Sequence, residues 1–237
     1  LREAELNVAS ARANLGAAGD LAAARQHGCA GCGLLRTELL FQARRAAPEP
    51  AEQAAAYARV ARAMAPGPTI VRLFDAGSDK PLPFLPAPAD AAEHNPALGT
   101  RGVRLLLAHP RVLTGQLEAI AAARQDSGCD VRAMVPMIVD PAELQQVADR
   151  CPQGLPLGVM IETPAAALLA PALLERAAFA SIGTNDLAQY TLARDRAADG
   201  PGAAHPAVLQ LVARVVEAAR AAGRECSVCG EAAGDPG

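Results

Sequence analysis

The chain has 237 residues, 51% of them hydrophobic and 20% charged, with a formal net charge of −3. That length fits one or two globular domains at about 150 residues each, or a single α/β barrel of roughly 250 residues. The near-neutral balance leaves no basic footprint for nucleic acid or for an anionic membrane surface.

Elements follow one another in a regular order. An apolar run at 6–15 predicts a strand, helical spacing covers 20–26, and a second strand falls at 33–36. A helix over 51–64, entered through Pro48 and Pro50, leads to a strand at 69–73. After one long polar stretch, 81–100, come a helix at 111–124 and a strand at 132–138. Asp140 is placed to cap a helix at 141–149, which precedes a strand at 157–161. Thr163 caps and Pro164 opens a helix at 164–176, and a strand follows at 178–182. The last helix, 206–222, begins after His205, ends at Gly223 and feeds a strand at 226–228. Strands alternating with helices of this length predict βαβ units and a parallel sheet.

Polar or reactive residues stand where each apolar run stops: Arg36 and Glu38, Arg72 and Asp75, Glu162, Asn185 and Asp186, Cys229 and Glu231. In a (β/α)₈ barrel the active site is built from such positions. Glu162 and Asp186, at the ends of neighbouring strands, suit Mg²⁺, which keeps waters and shares substrate oxygens. Arg36 and Arg72 offer bidentate forks for carboxylate or phosphate. Together they imply a small polyanion held between a divalent cation and a guanidinium clamp, the arrangement phosphoryl transfer needs. Glu38 and Asp75 read as ion-pair partners that orient the arginines.

Six cysteines are too few for a disulfide scaffold of this size. Cys29-x-x-Cys32 and Cys226-x-x-Cys229 have zinc half-site spacing, but they lie almost 200 residues apart and Cys32 falls in an apolar run. Cys129, Cys151 and Cys226 read as buried apolar cysteines. Cys229 sits at a strand end, where a thiol of pKa about 8.5 stays protonated at neutral pH as a general acid must. The four histidines are scattered, and no Walker A, GxGxxG or HExxH pattern occurs. Lys80 is the only lysine among 22 basic residues, a bias assigned to coding composition. No apolar run reaches the ~18 residues of a membrane span, and the first residues do not read as a signal peptide. A soluble cytoplasmic protein without membrane insertion is expected.

The segments Gly-Leu-Leu-Arg-Thr-Glu (33–38), Val-Arg-Leu-Phe-Asp-Ala-Gly-Ser-Asp-Lys-Pro-Leu-Pro (71–83) and Asn-Pro-Ala-Leu-Gly-Thr-Arg-Gly-Val-Arg (95–104) form an ordered set. It continues through Val-Pro-Met-Ile (135–138), Gly-Val-Met-Ile-Glu-Thr-Pro-Ala-Ala (158–166) and Ser-Ile-Gly-Thr-Asn-Asp-Leu-Ala-Gln-Tyr-Thr-Leu (181–192). Asp-Arg at 195–196 and Val-Cys-Gly-Glu-Ala-Ala-Gly-Asp-Pro (228–236) complete it. This set resembles the C-terminal phosphoenolpyruvate-binding barrel of enzyme I of the bacterial phosphotransferase system, a unit shared with multiphosphoryl transfer proteins. The resemblance covers nearly the whole chain and implies one domain over 1–237. That domain is a (β/α)₈ TIM barrel of the phosphoenolpyruvate/pyruvate-binding type, expected to stop after strand 7 of eight.

The resemblance also implies Mg²⁺ held by Glu162 and Asp186, and a phosphate gripped by Arg36 and Arg72 with Arg101 near it. Asn185 and Arg196 become further substrate contacts, and Cys229 the residue that protonates the enolate to pyruvate. The phosphoryl group is expected to pass to a histidine on a separate domain, since this chain has no Gly-Gly-x-x-Ser-His motif, and then to a phosphocarrier protein. A homodimer is the implied assembly. Two other readings are the related barrel of phosphoenolpyruvate synthase or pyruvate phosphate dikinase, and a non-catalytic ligand-binding or dimerisation fragment.

Overall fold

The computed structural model describes residues 11–16, 20–85, 93–195, 202–230 and 233. Residues 6–10 of the first expected strand, together with Arg196 and Glu231, lie outside them. Among the described residues seven strands pair in chain order, each parallel to the next. They are β1 (Ala13–Leu15), β2 (Cys32–Arg36), β3 (Thr69–Arg72), β4 (Val131–Val135), β5 (Leu157–Ile161), β6 (Phe179–Gly183) and β7 (Glu225–Cys229).

The helices are α1 (Asp20–Gln26), α2 (Thr37–Phe41), α3 (Pro50–Met64), α4 (Val103–Ala108), α5 (Pro110–Ser127) and α6 (Pro141–Ala148). They continue with α7 (Pro164–Leu168), α8 (Ala170–Leu174), α9 (Thr184–Leu192) and α10 (Pro206–Ala222). Capping follows the chemistry of the sequence. Asp140 accepts from the Ala142 and Glu143 amides at 2.7 and 3.1 Å, and Thr163 Oγ1 from Ala166 at 3.1 Å. His205 Nδ1 accepts from Ala207 at 3.1 Å, and Gly223 closes α10 with φ 63°.

The expected single helix at 164–176 is broken into α7 and α8 at Leu169, because Pro171 has no N–H for the carbonyl of Ala167. Three helices were not expected: α2, α4 and α9. Two of them, α2 and α9, start on the residue after a strand, so their first turns read as polar strand ends.

The sheet is curled, a parallel α/β half-barrel in which Cα atoms of β2 and β7 approach within 8 Å. Period-two alternation splits the core. Val71, Ala133, Val135, Val159, Ile161, Ala180 and Ile182 pack outward in the large cluster that includes Leu113, Leu117 and Val215 of the helices. Leu34, Ile70, Met134, Met160 and Phe179 form a separate inner cluster. Gly158 is required there, since a Cβ would come within 2.4 Å of the Phe179 ring. At the amino ends of the strands Glu225 pairs with Arg12 and Arg132, linking the chain beside β1 to β4 and β7. Cys32 is fully buried, whereas Cys129, Cys151 and Cys226 are half-buried, not buried as expected. No helix among the described residues is long and apolar enough to cross a membrane.

Candidate active site

At the carboxyl ends of the strands lies a cavity of about 160 Å³. Arg36 from β2, Arg72 from β3, Cys229 from β7, Glu162 just past β5, and Asn185 and Asp186 in the first turn of α9 all line it. The sheet register brings them together: Arg36 stands beside Arg72, and Gly183 beside Cys229. Residues far apart in the chain thus share one mouth, as parallel strands ending on one side require.

Arg72 is 6% exposed and held by the Glu38 carboxylate, by Asp75 Oδ2 at 3.3 Å and by Met160 Sδ at 3.8 Å. Glu38 and Asp75 therefore act on Arg72 as orienting partners, the role their positions suggested. Burial disfavours the guanidinium, but Glu38, Asp75 and Glu162 outweigh it and raise its pKa further. A buried polar network fixes the backbone under this arginine. Thr37 Oγ1 donates to the Arg72 carbonyl at 2.8 Å, Gln116 Nε2 donates to Thr37 Oγ1 at 3.1 Å, and Gln116 Oε1 accepts from Phe74 N–H at 3.0 Å. The Nε atoms of Arg36 and Arg72 are buried with no hydrogen-bond partner among the described residues. Each such donor costs about 1–3 kcal/mol unless an acceptor arrives.

Glu162 is 1% exposed, and its Oε1 accepts the Met137 N–H at 2.7 Å. Met137 has φ 54°, a left-handed conformation that costs a side-chain-bearing residue about 1–2 kcal/mol. Burial raises the Glu162 pKa, and the neighbouring charges of Asp75 and Asp186 push it higher, against Arg72 and the Met137 amide. Among the described residues no group of three or more His, Cys, Asp and Glu side chains is placed to hold a metal. Two hard carboxylates on one cavity nevertheless fit Mg²⁺, which completes its shell with water and substrate oxygens.

Cys229 Sγ accepts from Ser181 Oγ at 3.5 Å and lies 3.4 Å from the Ile182 carbonyl, to which the S–H donates. Burial pushes the thiol up to about 11, with the Ser181 hydrogen bond opposing. The thiol therefore keeps its proton at neutral pH.

Arg101, expected near the phosphate, is engaged with carboxylates in this structure. It does not line the cavity, and at 1% exposure it binds both Asp75 oxygens at 3.1 and 3.2 Å. It also pairs with Asp79 at 3.0 Å and with Asp186 at 3.4 Å. It braces three carboxylates. Arg196 lies outside the described residues. Among the lining residues that sequence reasoning passed over are Asn14, Lys80 and Met160. Asn14, a polar residue near the end of an apolar run, carried the same signal as the others; Met160 carried none, because its inward direction depends on register.

The fold and the site together define a parallel α/β half-barrel domain with arginines, carboxylates and a protonated thiol around one strand-end cavity. Comparisons with known proteins refine that class. Residues 4–237 match the family described as PEP-utilising enzyme, PEP-binding domain, PEP being phosphoenolpyruvate, and the chain belongs to this family. It is 47% identical over 232 residues to the phosphoenolpyruvate-protein phosphotransferase of Streptomyces coelicolor, covering 94% of this chain and 41% of that protein. It is 42% identical over 236 residues to the multiphosphoryl transfer protein of Xanthomonas campestris, covering 94% of this chain and 28% of that protein. The chain thus spans well under half the length of these relatives. Among solved structures, an HpcH/Hpal aldolase/citrate lyase family protein from Burkholderia cenocepacia matches the fold with a TM-score of 0.55 at 16% identity, over 95% of this chain and 80% of that one.

Proposed function

We propose that this chain is the phosphoenolpyruvate-binding unit of a phosphoenolpyruvate-protein phosphotransferase, a cytoplasmic homodimer serving sugar uptake. Its sheet is then the greater part of a (β/α)₈ barrel of the phosphoenolpyruvate-binding type. The observation that carries the reading is the convergence, on one cavity, of two arginines with unpaired Nε donors, two buried carboxylates and a protonated thiol. Family membership and the names of the relatives supply the substrate.

In this reading Arg36 and Arg72 grip the phosphate, and Asn185 contacts the substrate beside the carboxylates. Glu162 and Asp186 hold Mg²⁺, which when bound neutralises charge on the substrate oxygens. The phosphorus–oxygen bond breaks, its electron pair stays on the enolate oxygen, and a histidine nitrogen of a separate domain takes the phosphoryl group. The Cys229 thiol then gives its proton to the enolate carbon, leaving pyruvate. A phosphocarrier protein is the next acceptor.

Calorimetric titration with phosphoenolpyruvate, with Mg²⁺ or with EDTA, tests the binding half of this scheme. Binding is expected with Mg²⁺ and is expected to be lost on chelation and in Glu162→Gln. Binding that survives both changes removes the metal role, and no binding under any condition removes the substrate.

A further inference from the structure

Glutamine is a residue of protein surfaces, yet Gln116 of the outer helix α5 is fully buried. Its Nε2 donates to Thr37 Oγ1 at 3.1 Å and to Tyr57 Oη at 3.3 Å, and its Oε1 accepts from the Phe74 N–H at 3.0 Å. Both hydroxyls pass the chain on. Thr37 Oγ1 donates to the Arg72 carbonyl at 2.8 Å, and Tyr57 Oη donates to Gln53 Oε1 at 3.0 Å. Gln53 Nε2 in turn donates to the Pro48 carbonyl at 2.9 Å. Thr37 and Tyr57 are fully buried, and Gln53 nearly so.

The direction of every bond in this network is fixed. The Phe74 N–H can only donate and the Arg72 and Pro48 carbonyls can only accept, so neither glutamine amide can turn over and each hydroxyl proton has one place to go. Buried polar networks stabilise a fold little compared with apolar packing, and a fully satisfied one specifies a single arrangement. The question is what this one arranges.

Arg36 and Arg72 are the last residues of β2 and β3 and stand side by side as Cα partners. Thr37 follows Arg36 directly, so its bond to the Arg72 carbonyl ties the two strand ends together where the backbone ladder stops. On the far side of β3 the Leu73 N–H donates to the Met134 carbonyl at 2.9 Å, and Gln116 takes the next amide, that of Phe74. The exit of β3 is thus held at three successive residues. Glu38, next after Thr37, grips the Arg72 guanidinium. Gln116 itself does not line the cavity.

We propose that Gln116 is the positioning residue of the two-arginine clamp: through Thr37 and the Phe74 amide it fixes the spacing of Arg36 and Arg72, and with it the preference of the cavity for a phosphorylated acid over its unphosphorylated counterpart. The inference deepens the phosphoenolpyruvate reading of the cavity and rests on it. Its test is the affinity of phosphoenolpyruvate and of pyruvate, both with Mg²⁺, for the unaltered 237-residue chain and four variants. These are Gln116→Met, Thr37→Val, the two changes combined, and Thr37→Ser, which keeps the hydroxyl. Melting temperatures verify that each variant is folded where affinity is measured.

Partners that orient metal-ligating groups are worth about 10- to 100-fold, and a loss on that scale is expected for phosphoenolpyruvate in Gln116→Met and in Thr37→Val. Pyruvate lacks the phosphate that the arginines grip, so its affinity should change by less than about twofold. Thr37→Ser should restore phosphoenolpyruvate binding, and the combined variant should lose far less than the product of the single losses, because the two side chains act through one bond. Equal losses for both ligands, or a serine variant no better than valine, would make the network a support of the fold alone and overturn the proposal. Losses that multiply in the combined variant would overturn the route through Thr37. Should Gln116→Met fail to fold, the valine and serine variants of Thr37 decide the matter by the same criteria. Failure of the unaltered chain to bind phosphoenolpyruvate removes the functional reading and this inference with it, whereas binding by that chain with no loss in the variants defeats the inference about Gln116 alone.

Discussion

At the scale of single residues, Cys229 and Asp75 show how burial sets chemistry. A thiol at about 11 holds little thiolate at neutral pH, so Cys229 should react with iodoacetamide at pH 7.5 at least about a hundredfold slower than an unperturbed thiol near 8.5. Mass spectrometry of its peptide measures this. Ser181→Ala removes a donor that favours the thiolate, so reactivity at Cys229 should fall further; a rise would mean that the hydroxyl hinders access instead. On the proposed function, with the phosphoryl-accepting domain supplied in the assay, Cys229→Ala should leave phosphoenolpyruvate affinity nearly intact while slowing pyruvate formation by about 10²–10⁴-fold, since a general acid acts only in the chemical step. Asp75 has the opposite shift: burial raises its pKa, but Arg72, Arg101 and Lys80 outweigh it and hold the carboxyl well below the usual range. Its stabilising contribution is therefore complete above the unfolded value near 3.9 and lost as pH falls through the lower folded value. Asp75→Asn leaves two buried guanidiniums short of a counter-charge and should cost about 3–5 kcal/mol in urea unfolding. A loss under 1 kcal/mol would show that Glu38, Asp79 and Asp186 suffice for the two arginines.

At the scale of elements, the inner layer of the half-barrel depends on a missing side chain. Gly158 on β5 faces Phe179 on β6, and the Arg132 guanidinium lies 5.6 Å from the ring centroid. Gly158→Ala would drive a methyl group into the ring, so β5, β6 or the ring itself must shift. A loss of about 1–3 kcal/mol is expected from overpacking of this kind. Because Glu162 follows β5 directly, the same change should, on the proposed function, weaken Mg²⁺-dependent phosphoenolpyruvate binding as well as stability. Unchanged unfolding and binding would show that the ring turns aside without moving the strands. The short helices α2 and α9 matter in the same way, since each begins where its strand stops: α9 carries Asn185 and Asp186 to the mouth, and α2 carries Thr37 and Glu38 to Arg72.

At the scale of the whole molecule, Glu225 ties β7 to β4 and to the chain beside β1 through Arg132 and Arg12. Burial raises its pKa, but the hydrogen bonds and charges of the two arginines prevail and hold it below the ordinary carboxylate value. Its contribution is present above an unfolded pKa of about 4.3 and fades as pH falls. The group is partly exposed, so Glu225→Gln should cost at most about 1 kcal/mol, or roughly 2–4 °C in Tm for a chain of this size. The difference from the unaltered chain should shrink in high salt. A difference that persists in molar salt would point to packing of the side chain and not to its charge.

The alternation of strands and helices was readable because the central apolar runs, β3 to β6, are largely buried on both faces and several helices are opened or closed by residues such as Asp140, Thr163, Pro164 and Gly223. Local chemistry alone determines such features. The strand-end positions of Arg36, Arg72, Glu162, Asp186 and Cys229 were readable too, because a parallel sheet sends every strand end to one side. What only the tertiary structure decided was the division of labour among charges. Arg101 carries the same guanidinium as Arg72, yet packing against Gly77 and pairing with Asp75, Asp79 and Asp186 removes it from the cavity lining. Lys80 looked like a residue of composition until folding set it on Asp75 at the mouth. Sequence determines which groups are available and on which strand they ride. Which cation meets which carboxylate depends on distances across neighbouring strands and loops, and these exist only once the sheet has curled.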